Sequence, residues 1–207
     1  MILHLLGSRG VPTFLFGVMA LLAGTAAARS TIPSDFIFHL LGAALWVMFA
    51  VLVNIRPAPL RRGRSVIGVA AALTSQLAFI MIGLVAGSSG SGAVLVIGDL
   101  MLGAGLLFAI ASVAFLGRCF GVLPDVRGLV TRGPYRLVRH PLYLGELTAS
   151  LGIVLGAQHW APALGAWLVC LSLQLVRTAY EERSLRAEFP EYAPYAARTK
   201  RLIPGLV

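Results

Sequence analysis

Charge is what this sequence has least of: 12% of its 207 residues are Asp, Glu, Lys or Arg, and only eight of those are acidic. Soluble domains carry about a quarter charged residues, so a water-exposed globule is excluded. Cysteine is nearly absent too. Cys119 and Cys170 have no metal-like spacing and fall in a loop and an apolar run, which excludes a disulfide framework and a cysteine metal centre. There is no Ser/His/Asp or paired-cysteine arrangement for covalent catalysis. No repeat, low-complexity tail or long linker divides the chain, so it reads as one domain.

Apolar length is what the chain has instead: 58% hydrophobic residues and a mean hydropathy of +0.86. A hydrocarbon core about 30 Å thick takes about 20 apolar residues per helical crossing. Six segments approach that length: 11–28, 36–55, 66–87, 94–117, 142–157 and 161–176. The last two are short. The break between them, Gln158-His159-Trp160-Ala161-Pro162, fits either a narrow turn on the far face or a hairpin tip that stops short of it. The expected fold is an all-α transmembrane bundle of five to six segments with a C-terminal cytoplasmic helical tail. Residues 1–93 are expected to be scaffold and 94–207 the working part of the same structural domain. Ala26-Ala27-Ala28 after the first apolar run also suits a cleaved leader, although no strongly basic stretch precedes that run.

The net charge of +9 does not indicate nucleic acid, because the basic residues sit in short loops between apolar spans. If all six segments cross, every one of the seventeen Lys and Arg residues except Arg29 falls on one side. The positive-inside rule makes that side, with both termini, cytoplasmic. Basic residues beside a bilayer ordinarily pair with lipid headgroups, and that is the expectation for Arg118, Arg127, Arg132 and Arg136.

Polar residues concentrate after Gly117. Gly133-Pro134-Tyr135-Arg136 is followed by Arg139-His140-Pro141-Leu142-Tyr143-Leu144-Gly145. Downstream come Glu181-Glu182-Arg183-Ser184-Leu185, Phe189-Pro190-Glu191-Tyr192, Tyr195 and Arg198 through Pro204. In this order, separated by an apolar hairpin, the two motifs resemble the isoprenylcysteine carboxyl methyltransferase and phospholipid methyltransferase families. The resemblance covers roughly the last ninety residues.

Pro141 suits the first turn of a helix and puts His140 at its cap. That helix would turn free N–H groups and its positive dipole end toward the cytoplasm, a place for an anion. The carboxylate of S-adenosylmethionine would fit there, with the Glu181-Glu182 pair accepting from its ammonium and ribose hydroxyls. The resemblance implies cofactor contacts at Gly128, Leu129, Val130, Tyr135, His140, Pro141, Leu142, Tyr143, Glu181 and Glu182. It also implies a substrate-side arginine at Arg177, which at i and i+4 shares a helix face with Glu181. Glu146 lies about a turn and a half below Pro141 and is expected to face the reaction chamber, as intramembrane carboxylates are costly and often functional. Asp99 and His39 are expected to be structural or solvated. The stripe Gly145, Ala149, Gly152 and Gly156 reads as a helix-packing face.

The resulting expectation is S-adenosylmethionine-dependent methyl transfer to a lipophilic acceptor at the cytoplasmic face, most readily a carboxylate such as an isoprenylcysteine-like group. A phospholipid amine or small thiol is the alternative acceptor. An NADPH-dependent membrane reductase and a non-enzymatic scaffold or transporter are the alternative functions. Membrane lipid and a lipophilic substrate are the partners expected; nucleic acid and metal are not.

Overall fold

The computed structural model describes residues 9–30, 33–62, 65–86, 93–123 and 125–203. Arg64, Gly87, Pro124 and Pro204 lie outside them. The described residues form seven α-helices: α1 Gly10–Arg29, α2 Pro33–Ile55, α3 Val66–Ala86, α4 Ala93–Leu116, α5 Pro141–Gly156, α6 Trp160–Glu188 and α7 Tyr192–Arg198. Five spans, in α1 to α4 and α6, are long and apolar enough to cross a bilayer, whereas α5 has 16 residues. The protein is an integral, multi-pass membrane protein.

Two expected boundaries change. The last apolar segment, expected to end near 176, continues as helix to Glu188, so Glu181 and Glu182 lie on a helix face and not at its end. The break in the hairpin is also shorter than expected. Helix α6 begins at Trp160, with Pro162 tolerated in the first turn, where its missing N–H is not needed. The His159 N–H donates to the Ala86 carbonyl at 3.2 Å, so the hairpin tip reaches the far end of α3.

Length mismatch places the site. At 1.5 Å per residue α5 is about 24 Å long, against about 44 Å for α6. Both meet at the Ala157–His159 turn, so α5 starts well below the level at which α6 ends. The recess above Pro141 is covered by the 117–140 loop and by α7. Helix α4 lies along α5, α1 along α2, and α3 along α6.

Helices α4 and α5 approach each other closely. A Cβ built on Gly105 would stand 2.6 Å from the Gly145 carbonyl oxygen, and one on Gly145 would stand 2.7 Å from the Ala109 nitrogen. No side chain fits between these backbones, which is what the small-residue stripe provides where hydrophobic sorting cannot hold helices together. At the basic end, Leu60 N donates to Val126 O at 2.8 Å and Arg118 Nε to Ile55 O at 3.0 Å, tying the α2–α3 connection to the loop after α4. The C-terminal strap is equally local: Arg139 N and His140 N donate to the carbonyls of Lys200 and Arg201.

Candidate active site

Helix α5 opens at His140, whose ring makes no capping bond and instead stacks on Tyr143, centroids 5.6 Å apart and planes at 10°. One turn of α5 thus presents an imidazole and a phenol side by side. The Tyr143 hydroxyl donates to Glu181 Oε1 at 2.7 Å. Arg177, one turn earlier on α6, donates from Nε to the same oxygen at 3.0 Å and from Nη2 to the Val122 carbonyl at 2.9 Å. Its guanidinium lies 4.7 Å from the centre of the Tyr143 ring. Glu181 is therefore fixed from two helices, and its second oxygen is 3.7 Å from His140 Nδ1.

Glu182 faces the other way. It accepts from Arg139 Nε at 2.8 Å and from Arg201 Nε and Nη2 at 3.1 and 3.2 Å, and it is buried. His140 Nε2 comes within 3.3 Å of it but lacks hydrogen-bond geometry. Arg139 also donates to the carbonyls of Ala196 and Thr199. This knot holds the strap to α5 and α6.

A cleft of about 110 Å³, open at its mouth, occupies the recess. Gly128, Leu129, Val130, Tyr135, His140, Leu142, Tyr143 and Glu181 line it. Pro141 and Glu182 do not: the former is buried beneath the wall and the latter sits in the arginine knot. A far smaller inner cavity lies beyond, about 10 Å³ and so the size of about one water, walled by Phe16, Phe49, Phe120, Val122, Leu142, Tyr143, Glu146 and Arg177. Leu142 and Tyr143 line both and form the partition. Glu146 accepts from Gln174 Nε2 at 3.1 Å within the bundle. Asp99 and His39 line neither cavity.

Several wall residues were not among the expected set. Tyr192 and Tyr195 reach the cleft from α7, and the Tyr195 hydroxyl donates to the Tyr135 carbonyl at 2.7 Å. Both stand in the second motif, whose expected roles did not include these two positions. Burial pushes the phenols of Tyr135 and Tyr192 upward and that of Tyr195 up to about 12, keeping all three as neutral O–H groups at ordinary pH. Arg127 departs from the expectation of lipid pairing. It is buried against Asp125, 3.0 Å away, and lines the cleft, whereas Arg118, Arg132 and Arg136 are exposed. Phe16 and Phe49, from helices expected only as scaffold, wall the inner cavity.

The buried polar atoms without a protein partner cluster here. They are Arg127 Nε and Nη1, His140 Nε2 and Tyr192 Oη on residues of the cleft, Arg177 Nη1 on a residue of the inner cavity, and Gln174 Oε1 beside Glu146. Buried polar groups are ordinarily satisfied; His140 Nε2 is turned to Glu182 at 3.3 Å, and the orphans that fit polar ligands are those of Arg127, Tyr192 and Arg177. Among the described residues no three His, Cys, Asp or Glu side chains cluster as a metal site.

Residues 93–191 match the model of a family described as phospholipid methyltransferase. The chain is similar to the cobalt-zinc-cadmium resistance protein CzcN of Cupriavidus metallidurans, 44% identical over 81 residues. It is also similar to the nickel-cobalt-cadmium resistance protein NccN of Alcaligenes xylosoxydans xylosoxydans, 38% identical over 81 residues. Each match takes in 38% of this chain and 36% and 37% of the two relatives, so the chain spans little more than a third of their length.

Proposed function

We propose, from the match of residues 93–191 to the phospholipid methyltransferase family, that the protein transfers the methyl group of S-adenosylmethionine to a lipophilic acceptor that reaches the inner cavity from the bilayer. The observation that carries this reading is the partition. Tyr143 and Leu142 wall both a polar cleft, open at the basic end, and an aromatic cavity inside the bundle. Two substrates of opposite solubility can meet only across such a wall. The unpaired donors of the cleft suit a polar nucleoside.

When bound, S-adenosylmethionine supplies an electrophilic methyl: the C–S bond breaks as the bond to the acceptor forms. The protein has to align, desolvate and exclude water. Glu181, held by Tyr143 and Arg177, is positioned to accept from ribose hydroxyls or the ammonium. Tyr135, Leu129 and Val130 supply flat apolar surface for the base. Arg177 and Glu146 stand on the acceptor side.

Two acceptor chemistries each have an observation in their favour. Arg177 Nη1 is unpaired at the inner cavity, which suits a carboxylate. Against that, the Arg177 charge is matched by Glu181 at 3.0 Å, while Glu146 has Gln174 as its hydrogen-bond partner and no ion-pair partner among the described residues. A buried carboxylate facing Phe16, Phe49 and Phe120 suits a cationic or amine-bearing group. We therefore favour an amine over the carboxylate expected from Arg177 alone, with Glu146 receiving the proton that the amine nitrogen loses as its bond to methyl forms.

Calorimetry with S-adenosylhomocysteine on detergent-purified protein tests the donor half. Undiminished affinity in both His140→Ala and Glu181→Ala places the site elsewhere. Radiolabelled methyl transfer to membrane lipids, with products sorted as amines or alkali-labile esters, tests the acceptor half. Label found only in esters overturns the amine preference. The positive-inside rule puts the cleft on the cytoplasmic side; ready labelling of a cysteine at Arg62 or Lys200 by an impermeant reagent outside intact cells refutes that orientation. The relatives are named for metal resistance; a contribution of this chain to metal tolerance would run through methylation of membrane components.

A further inference from the structure

Among the described residues, the buried charge with most unpaired atoms is Arg127. Its side chain is 3% exposed; Nη2 is paired with Asp125 Oδ2 at 3.0 Å, and Nε and Nη1 have no protein partner. It lines the donor cleft next to Gly121, where a methyl group would stand 2.5 Å from Nη1. Behind it lies Arg56, itself 5% exposed, whose carbonyl accepts from Arg9 Nη2 at 3.1 Å. Arg9, Arg56 and Arg127 come from three separate segments, and Asp125 is the carboxylate among them. Burial and then the Arg127 charge press the Arg56 guanidinium below its usual range, with Asp125 opposing and Arg9 adding. A buried guanidinium with two unpaired nitrogens is costly unless an acceptor completes it, and the planar N–H fork suits a two-oxygen anion.

We propose that Arg127 forms an anion-binding site in the wall of the donor cleft and takes a carboxylate or phosphate oxyanion. Resting on the donor reading above, the oxyanion is the carboxylate of the methionine part of S-adenosylmethionine. Glu181, engaged by Tyr143 and Arg177, takes hydroxyl or ammonium donors elsewhere on the same wall. The carboxylate is thereby moved from the amino end of α5, where the sequence alone puts it, to Arg127 on the loop after α4. A phosphate-bearing lipid headgroup is the other source of the same chemistry, and the experiment separates the two.

Calorimetry on the purified full chain compares S-adenosylhomocysteine, its carboxyl methyl ester and 5′-methylthioadenosine, which lacks the amino-acid part, on the wild type and on Arg127→Gln. The expected result is a loss of roughly 10-fold to 100-fold for S-adenosylhomocysteine in Arg127→Gln, the size of one charge-assisted hydrogen bond, with 5′-methylthioadenosine unchanged. The methyl ester should show a loss of the same order on the wild type, which keeps the proposal testable if the variant does not fold. A parallel arm measures phosphate-headgroup lipid retained in nanodiscs. Lipid loss in Arg127→Gln with unchanged nucleoside affinity assigns the site to lipid phosphate and overturns the donor carboxylate. No change in either arm overturns the site itself. Failure of the wild type to bind either nucleoside sinks the donor reading, and the lipid arm alone then decides for Arg127.

Discussion

Replacing Arg177 by lysine keeps its charge and removes its fork. The guanidinium joins two elements: Nε reaches Glu181 on its own helix at 3.0 Å, and Nη2 reaches the Val122 carbonyl of the loop after α4 at 2.9 Å. An ammonium is a point donor and cannot span both. The shorter reach to Glu181, on the same helix face, is the one a lysine would keep. The Val122 bond is then lost and its carbonyl is left without that donor. A hydrogen bond to a charged group contributes about 1.5 to 3 kcal/mol, and because Arg177 is buried the effect should not be diluted by solvent. For a chain of this size 1 kcal/mol shifts the melting temperature by about 2 to 4 °C, so Arg177→Lys should melt roughly 3 to 12 °C lower. Donor affinity should fall less, since Tyr143 still holds Glu181. The assay is thermal unfolding in detergent, followed by tryptophan fluorescence, alongside calorimetry with S-adenosylhomocysteine. A melting temperature within about 1 °C of the wild type would show that the Val122 contact contributes nothing and that the fork is not what positions the loop.

Gly145→Ala should push α5 off α4, because its Cβ would stand 2.7 Å from the Ala109 nitrogen; overpacking of this kind costs about 1 to 3 kcal/mol, read as a lower melting temperature. Cys119 lines the cleft whereas Cys170 is buried, so saturating S-adenosylhomocysteine should slow maleimide labelling of the native protein at Cys119 and leave Cys170 silent. Equal labelling rates with and without ligand would place the donor elsewhere. Tyr195 has its folded value raised above the ordinary tyrosine value of 10 to about 12, so the folded state holds its proton longer than the unfolded chain does. Stability from this group is complete below pH 10 and should decline as pH rises from 10 to about 12, by at most about 1.4 kcal/mol per unit. Tyr195→Phe should flatten that part of a stability profile.

Much of the fold was legible because a membrane helix is a local property: apolar length and loop charge are written along the chain, and five of the six spans expected from them match helices long enough to cross. Of the ten residues expected as cofactor contacts from the GPYR and RHPLY stretches and their surroundings, eight line one cleft, the exceptions being Pro141 and Glu182. What could not be read was the use each side chain makes of its neighbours. Glu181 and Glu182 are adjacent in sequence, yet a helix turns about 100° per residue, so one faces the cleft and the other the Arg139–Arg201 knot. Arg118 and Arg127 look alike in a basic loop; only the fold of that loop over α5 leaves one in solvent and buries the other with two unpaired nitrogens. Phe16 and Phe49 carry no motif at all. Their place in the inner cavity was decided by the packing of α1 and α2 against the rest, a long-range arrangement that apolar periodicity does not specify because every face of such a helix is hydrophobic.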